Sequence, residues 1–176
     1  MNLPNKFTVG RMLAIPVFIV VLMMGYQIAA TVIFILASLT DLFDGMIARK
    51  YGLITDFGKI MDPLADKLLV MSAFVCLVEL GAVPGWMVII IFAREFTVTG
   101  LRIAAAAAGV VIAAEKTGKI KTALQMTAIP LLLLDNWPFY LVDLPAADIV
   151  LWAAVIMTVF SGIEYLMKNK RFFGDI

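Results

Sequence analysis

Between Asp41 and Asp66 the chain reads DLFDGMIARKYGLITDFGKIMDPLAD, and this stretch sets Asp41, Asp44, Asp62 and Asp66 into an otherwise strongly apolar sequence. A carboxylate at the centre of a membrane helix costs about 2.5–3.5 kcal/mol on insertion scales, so such groups belong where they face a polar cavity, a counter-ion or a metal. Asp41 and Asp44 are three residues apart, and Asp62 and Asp66 are four apart. In an α-helix either spacing puts both side chains on one face, and two helices folded back on each other can aim all four carboxylates at one point. Oxygen-only ligands suit hard cations such as Mg²⁺ or Mn²⁺, and four carboxylates have room for two ions. All four are therefore candidate metal ligands.

The residues between the acids extend the chemistry. Gly45 and Ala48 follow Asp44 by one and four positions, leaving a helix surface without bulk that a flat group such as a nucleotide base can approach. Arg49 adds a planar cationic fork suited to phosphate, and Gly58 opens a further gap four residues before Asp62. The competing reading is that the acids solvate a loop or pair with Lys50, Lys59 and Lys67.

As spacing, the stretch is D-x₂-D-G-x₂-A-R-x₈-G-x₃-D-x₃-D. It resembles the signature of the CDP-alcohol phosphatidyltransferases, membrane enzymes that move a phosphatidyl group from a CDP-linked lipid to an alcohol. The resemblance implies Asp66 as the base that deprotonates the acceptor, Asp41, Asp44 and Asp62 as metal ligands, and a homodimer. Further runs are similar to the phosphatidylglycerophosphate synthase branch: Asn2-Leu3-Pro4-Asn5 with Thr8 and Arg11, Ala93-Arg94-Glu95 with Arg102, and Gly118-Lys119-Ile120-Lys121-Thr122. The implied reaction joins CDP-diacylglycerol and glycerol 3-phosphate, with Thr8 and Arg11 on the CDP-lipid side. A doubly charged acceptor calls for several cations, and Arg94, Arg102, Lys119 and Lys121 can supply them. Rival acceptors are inositol phosphate, serine and phosphatidylglycerol.

Composition sets the frame for this chemistry. Of 176 residues, 63% are hydrophobic, and the mean hydropathy is +1.02, too apolar for a soluble domain. A spanning helix takes roughly 20 residues, so six would use about 120 and leave short loops. The expected architecture is all-α: one domain over residues 1–176, six transmembrane helices in one bundle, and a short interfacial segment from Met1 to Val9. The first apolar run has spanning length without an evident cleavage site, so no cleavable signal is expected. Histidine is absent and Cys76 is the only cysteine, which removes Ser-His-Asp and Cys-His catalysis and any intramolecular disulfide.

Glycine, proline and charge divide the chain into spans at about 10–26, 28–50, 59–80, 86–107, 121–134 and 149–166. Asp62-Pro63 falls in the first turns of the third span, where proline is tolerated and the helix dipole favours an anion. Arg11 near the start of the first span can snorkel or turn inward. Arg94 and Glu95 are adjacent, hence point apart, and an interhelical ion pair competes with substrate binding as their role. The segment EKTGKIK, Glu115 to Lys121, reads as the most polar loop after the motif, and Gln125 faces inward if its span packs in a bundle.

Alternating the loops between two sides leaves all 14 basic residues on one side or on spans leading to it. That side is cytoplasmic by the positive-inside rule and holds both termini and the motif, with a bacterial inner membrane the simplest location. A divalent-cation transporter also uses intramembrane acids, but it needs a route to both faces, and the opposite loops offer no matching acidic entry. Membrane lipid is an expected partner, and nucleic acid is not.

Overall fold

The computed structural model describes residues 3–51, 56–110, 112 and 115–170, with side chains described for 9–40, 64–110, 112 and 115–170. Among the described residues six α-helices run in order: α1 Leu3–Met23, α2 Gln27–Tyr51, α3 Asp56–Glu79, α4 Gly85–Ala107, α5 Lys116–Leu133 and α6 Ala146–Lys168. A short 3-10 turn, Phe139–Val142, interrupts the connection from α5 to α6. Among the described residues there is no strand, so the all-α expectation holds.

Local chemistry fixes the corners. Gly25 (φ +85°) and Gly81 (φ +73°) sit in the left-handed region just past α1 and α3, where a side chain would be strained. At each, paired backbone bonds close the helix end: Gly25 N to Leu22 O at 2.9 Å with Tyr26 N to Val21 O at 3.2 Å, and Gly81 N to Val78 O with Ala82 N to Leu77 O, both 2.9 Å. These are Schellman closures, which satisfy carbonyls that the helix leaves open.

Two helix starts differ from the sequence expectation. No break occurs at Val9: α1 is continuous from Leu3, and Pro4 lies in its first turn, where a missing N–H costs nothing. Residues 116–120 are not a loop but the opening turns of α5. Lysine and isoleucine there are compatible with helix, and a fall in hydropathy marks the end of an apolar run, not the end of a helix.

α1 packs against α2 and α3, α5 packs extensively along α6, and α4 closes against α6. One core runs through the bundle, with Phe18, Phe34, Phe74, Leu77, Ile129 and Leu133 all at 1% exposure or less. The rings of Phe18 and Phe34 meet at 6.0 Å with a 50° tilt. The outside of the bundle is apolar as well: Leu13, Ile28, Ile89, Phe96, Ile103 and Met167 are each at least 65% exposed. Such a surface suits contact with lipid.

Among the described residues α6 alone is long and apolar enough to cross a membrane, with mean hydropathy 2.0 over its best window. Within the residues whose side chains are described, the apolar parts of α1 and α2 are Val9–Met23 and Gln27–Thr40. The remaining helices carry charges of the site, Lys67 on α3, Arg94, Glu95 and Arg102 on α4, and Lys119 and Lys121 in the first two turns of α5. Those charges dilute the apolar signal.

Asn136 ties the α5–α6 connection together. Its Nδ2 donates to Leu144 O at 2.7 Å, and its Oδ1 accepts from Ala147 N, an open donor of the first turn of α6, at 2.9 Å. Asn136→Ala removes both bonds, and the expected loss is about 1–2 kcal/mol. A thermal melt in detergent should show a Tm lower by a few degrees, with turnover of the remaining folded protein unchanged.

Candidate active site

Residues of four helices, α3 to α6, line a cavity of about 360 Å³. α3 contributes Asp66 and Lys67, α4 contributes Glu95, Thr99 and Arg102, and α5 contributes Lys119, Lys121 and Gln125. On α4, positions 95, 98, 99 and 102 recur at helical spacing, so one stripe of that helix forms a wall. Val70, Met71, Ile91 and Val98 make its apolar part.

The charges are held by specific partners. Glu95 accepts from Arg94 Nη1 at 3.2 Å and from Lys121 Nζ of the next helix. The side chains of Arg94, Glu95 and Lys121 are only 11%, 13% and 4% exposed, and a buried charge is tolerable only when paired. The expectation that the adjacent Arg94 and Glu95 point apart is not met, since their side chains meet, while the expected interhelical ion pair runs from Glu95 to Lys121. Lys67 Nζ donates to Thr99 Oγ1, joining α3 to α4. The Arg102 guanidinium lies 5.5 Å from the ring centre of Tyr165, and its Nε donates to the Tyr165 hydroxyl at 3.3 Å. Tyr165 is 1% exposed, a fixed platform for that cation.

At the mouth, Lys168 bridges Glu115 Oε1 at 3.3 Å and Glu164 Oε1 at 2.6 Å. Thr117 Oγ1 donates to Glu164 Oε2 at 2.7 Å. The start of α5 is thereby tied to the end of α6. Deeper, Gln125 faces inward as expected and donates to Thr158 Oγ1 at 3.2 Å. Among the described residues the cavity lining holds five basic side chains, Lys67, Arg94, Arg102, Lys119 and Lys121, and three acidic ones, Asp66, Glu95 and Glu115. The cluster of cations is of the right sign to meet a phosphate.

A second cavity, about 450 Å³, lies beside the first between α2 and α5. Its lining is Phe34, Ile35, Ser38 and Leu39 of α2, Ala123 and Met126 of α5, and two residues that also line the first cavity, Asp66 and Thr122. Asp66 therefore lines both a charged cavity and an apolar one.

Of the residues singled out from the sequence, Asp66, Arg94, Arg102, Lys119 and Lys121 are brought together around one cavity. Arg11 is 3% exposed, so it turns inward and does not snorkel, and it is not among the residues lining that cavity. Thr8, Asp41, Asp44, Gly45, Ala48, Arg49, Gly58 and Asp62 have side chains outside the described residues. The backbones of α2 and α3 are helical through all four acid positions, and the two helices touch. Among the described residues no three potential metal-ligating side chains gather.

Sequence reasoning missed Thr99, Glu115 and Tyr165 as parts of the site, and took Lys67 only as a counter-ion. The signal for Tyr165 lies on α6, where Thr158, Ser161, Gly162 and Tyr165 recur at i, i+3, i+4 and i+7 in an apolar helix. That stripe is a small and polar face turned inward.

Residues 1–160 match the CDP-alcohol phosphatidyltransferase family. The chain is 48% identical over 183 residues to the CDP-diacylglycerol–glycerol-3-phosphate 3-phosphatidyltransferase of Bacillus subtilis, covering 96% of this chain and 95% of that protein. The protein of the same name in Rickettsia felis is 39% identical over 176 residues, 98% of this chain and 97% of the relative. A probable phosphatidylglycerophosphate synthase of Mycobacterium tuberculosis is 40% identical over 182 residues, covering 99% and 85%.

Glu95→Ala leaves Arg94 and Lys121 buried side by side without their shared anion, and the expected cost is about 3–5 kcal/mol. Thermal unfolding in detergent should report it, and the double variant Glu95→Ala/Lys121→Met should recover a large part of the loss.

Proposed function

The chain belongs to the CDP-alcohol phosphatidyltransferase family, and on that premise we propose that it transfers the phosphatidyl group of CDP-diacylglycerol to glycerol 3-phosphate, giving phosphatidylglycerophosphate and CMP. One observation carries the reading. Asp66 borders both the cation-rich cavity and the apolar one, so a water-soluble phosphate and a lipid can meet at a single carboxylate. The names of the full-length relatives agree with this choice of acceptor.

In the proposed reaction the acceptor's phosphate binds among Arg94, Arg102, Lys119 and Lys121, which leaves its terminal hydroxyl toward Asp66. The hydroxyl oxygen attacks the phosphorus that carries diacylglycerol, and Asp66 takes the hydroxyl proton as general base. The new P–O bond forms as the bond from that phosphorus to the CMP oxygen breaks, and CMP departs with the electron pair. The attack is in line, without a covalent enzyme intermediate. The acyl chains lie along the α2–α5 cavity, with Phe34, Ile35 and Met126 as apolar contacts.

Asp41, Asp44, Asp62 and Asp66 are proposed as the metal-binding residues, since four carboxylates carried by α2 and α3 offer oxygen-only donors of the kind that suits Mg²⁺ or Mn²⁺. Two such ions, when bound, supply neutralisation of the pyrophosphate and stabilisation of the leaving phosphate. Gly45, Ala48, Arg49 and Gly58, with Thr8 and Arg11, are assigned to the CDP-lipid. The six helices are proposed to cross a bacterial inner membrane as a homodimer, with the cavity and both termini on the cytosolic side. The distribution of basic residues supports this orientation.

Asp66→Asn should keep the fold and CDP-diacylglycerol binding while turnover falls by about two to four orders of magnitude. Full activity in that variant, with purified protein and labelled CDP-diacylglycerol, would remove the base assignment. Chelation should abolish activity, with Mg²⁺ or Mn²⁺ restoring it. Orientation is read separately. In a Cys76→Ser background, Asp143→Cys should react with an impermeant maleimide from outside the cell, and Lys170→Cys only after permeabilisation.

A further inference from the structure

We propose that Gly162 of α6, together with Gly118 of α5, is a positioning slot that fixes the Arg94 guanidinium at the wall of the acceptor cavity. The inference rests on the acceptor-phosphate reading of Arg94 given above. A Cβ built on Gly162 would lie 3.1 Å from Arg94 Cγ and 3.9 Å from Arg94 Cβ. A Cβ on Gly118 would lie 3.3 Å from Arg94 Nη2. The arginine side chain thus crosses one glycine at its root and another at its tip, and it is 11% exposed along the way.

Conformation does not account for either glycine. Both lie within α-helices, and neither carries the positive φ found at Gly25, Gly81 and Gly109. A glycine in such a place weakens the helix by about 0.5–1 kcal/mol relative to alanine. Gly100 of α4 is the internal comparison, since a Cβ there meets nothing within 4 Å. At Gly118 and Gly162 the missing methyl is instead the space that Arg94 occupies.

The two ends of the slot differ in consequence. At Gly118 the near atom is the mobile end of the side chain, which can swing aside. At Gly162 the near atom is Cγ, one bond from the Cβ that α4 holds, so a methyl group there makes the root of the side chain give by a few tenths of an ångström. The guanidinium, three bonds further out, then moves by more than the clash itself. Its bond to Glu95 Oε1, at 3.2 Å, and its place on the cavity wall are disturbed together.

The test is a double-mutant cycle in the purified full-length enzyme. Gly162→Ala should raise KM for glycerol 3-phosphate about tenfold, the effect of losing one charge-assisted hydrogen bond, with kcat and KM for CDP-diacylglycerol within about twofold. Gly118→Ala should shift the same KM less, and Gly100→Ala not at all. In an Arg94→Ala background, Gly162→Ala should add nothing. A packing role alone would persist without the arginine, so additive effects in the two backgrounds would overturn the proposal, as would an unchanged KM in Gly162→Ala. If Gly162→Ala does not fold, recovery of folding in Arg94→Ala/Gly162→Ala supports the slot, and failure of both variants overturns it. If Arg94→Ala alone leaves KM for glycerol 3-phosphate unchanged, the acceptor role of Arg94 falls. The slot is then read from Tm: Gly162→Ala should lower it in the wild-type background and not in Arg94→Ala, and equal losses would overturn the slot as well.

Discussion

Keeping several cations inside an apolar helical bundle is the constraint on which this structure depends. A charge removed from water is stable only if a partner of opposite sign or a polarisable group replaces the lost hydration. Glu95 serves this purpose for two cations at once, Arg94 on its own helix and Lys121 on α5. Arg102 meets the face and hydroxyl of Tyr165, and Lys67 meets Thr99. The links from Lys121, Arg102 and Lys67 each join two helices, so α3, α4, α5 and α6 are held together by the same contacts that keep the cations in place.

α6 reconciles the two environments. Its outer face, with Ile149, Trp152, Ile156 and Ile163 exposed, has the chemistry of a lipid-facing surface. Its inner stripe of Thr158, Ser161, Gly162 and Tyr165 is small or polar. Thr158 and Ser161 return their hydroxyls to backbone carbonyls of their own helix, at 2.6 Å and 3.1 Å, so they introduce no unsatisfied donor where α5 packs closely. Large residues at these positions would push α5 and α4 outward.

Much of this was legible in the sequence, for identifiable reasons. Glycine and proline mark the corners because positive φ and absent N–H groups leave few alternatives, and the helices end within a few residues of Gly25, Gly81 and Pro84. Asp66, Arg94, Arg102, Lys119 and Lys121 stand out because a charge in an apolar run has to be used. The misjudged pieces lack such a signal. Glu115 to Lys121 looks like a loop in one dimension, yet Thr117 finds Glu164 of α6 as a partner that sequence order conceals. Tyr165 and Gly162 look like ordinary members of a spanning helix. What they do depends on Arg102 and Arg94, 63 and 68 positions earlier. A pairing across that separation appears only after α4 has packed on α6.

The adjacency of two unlike cavities bears on why the carboxylate sits where it does. In the proposed reaction a phosphate dianion is favoured among Arg94, Arg102 and Lys119 and strongly disfavoured between Phe34 and Met126, whereas an acyl chain has the opposite preference. On that reading each substrate has a chamber that suits its chemistry. The chambers have Asp66 and Thr122 in common, and Thr122 is turned back on its helix, donating to Gly118 O at 3.1 Å. Among the described residues, Asp66 is the one shared by the two chambers that is able to accept a proton as a carboxylate. In the proposed reaction the hydroxyl and the phosphorus have to meet at that wall, so the placement of a single acid between a charged surface and an apolar one does the work that a mobile lid does in a water-filled active site.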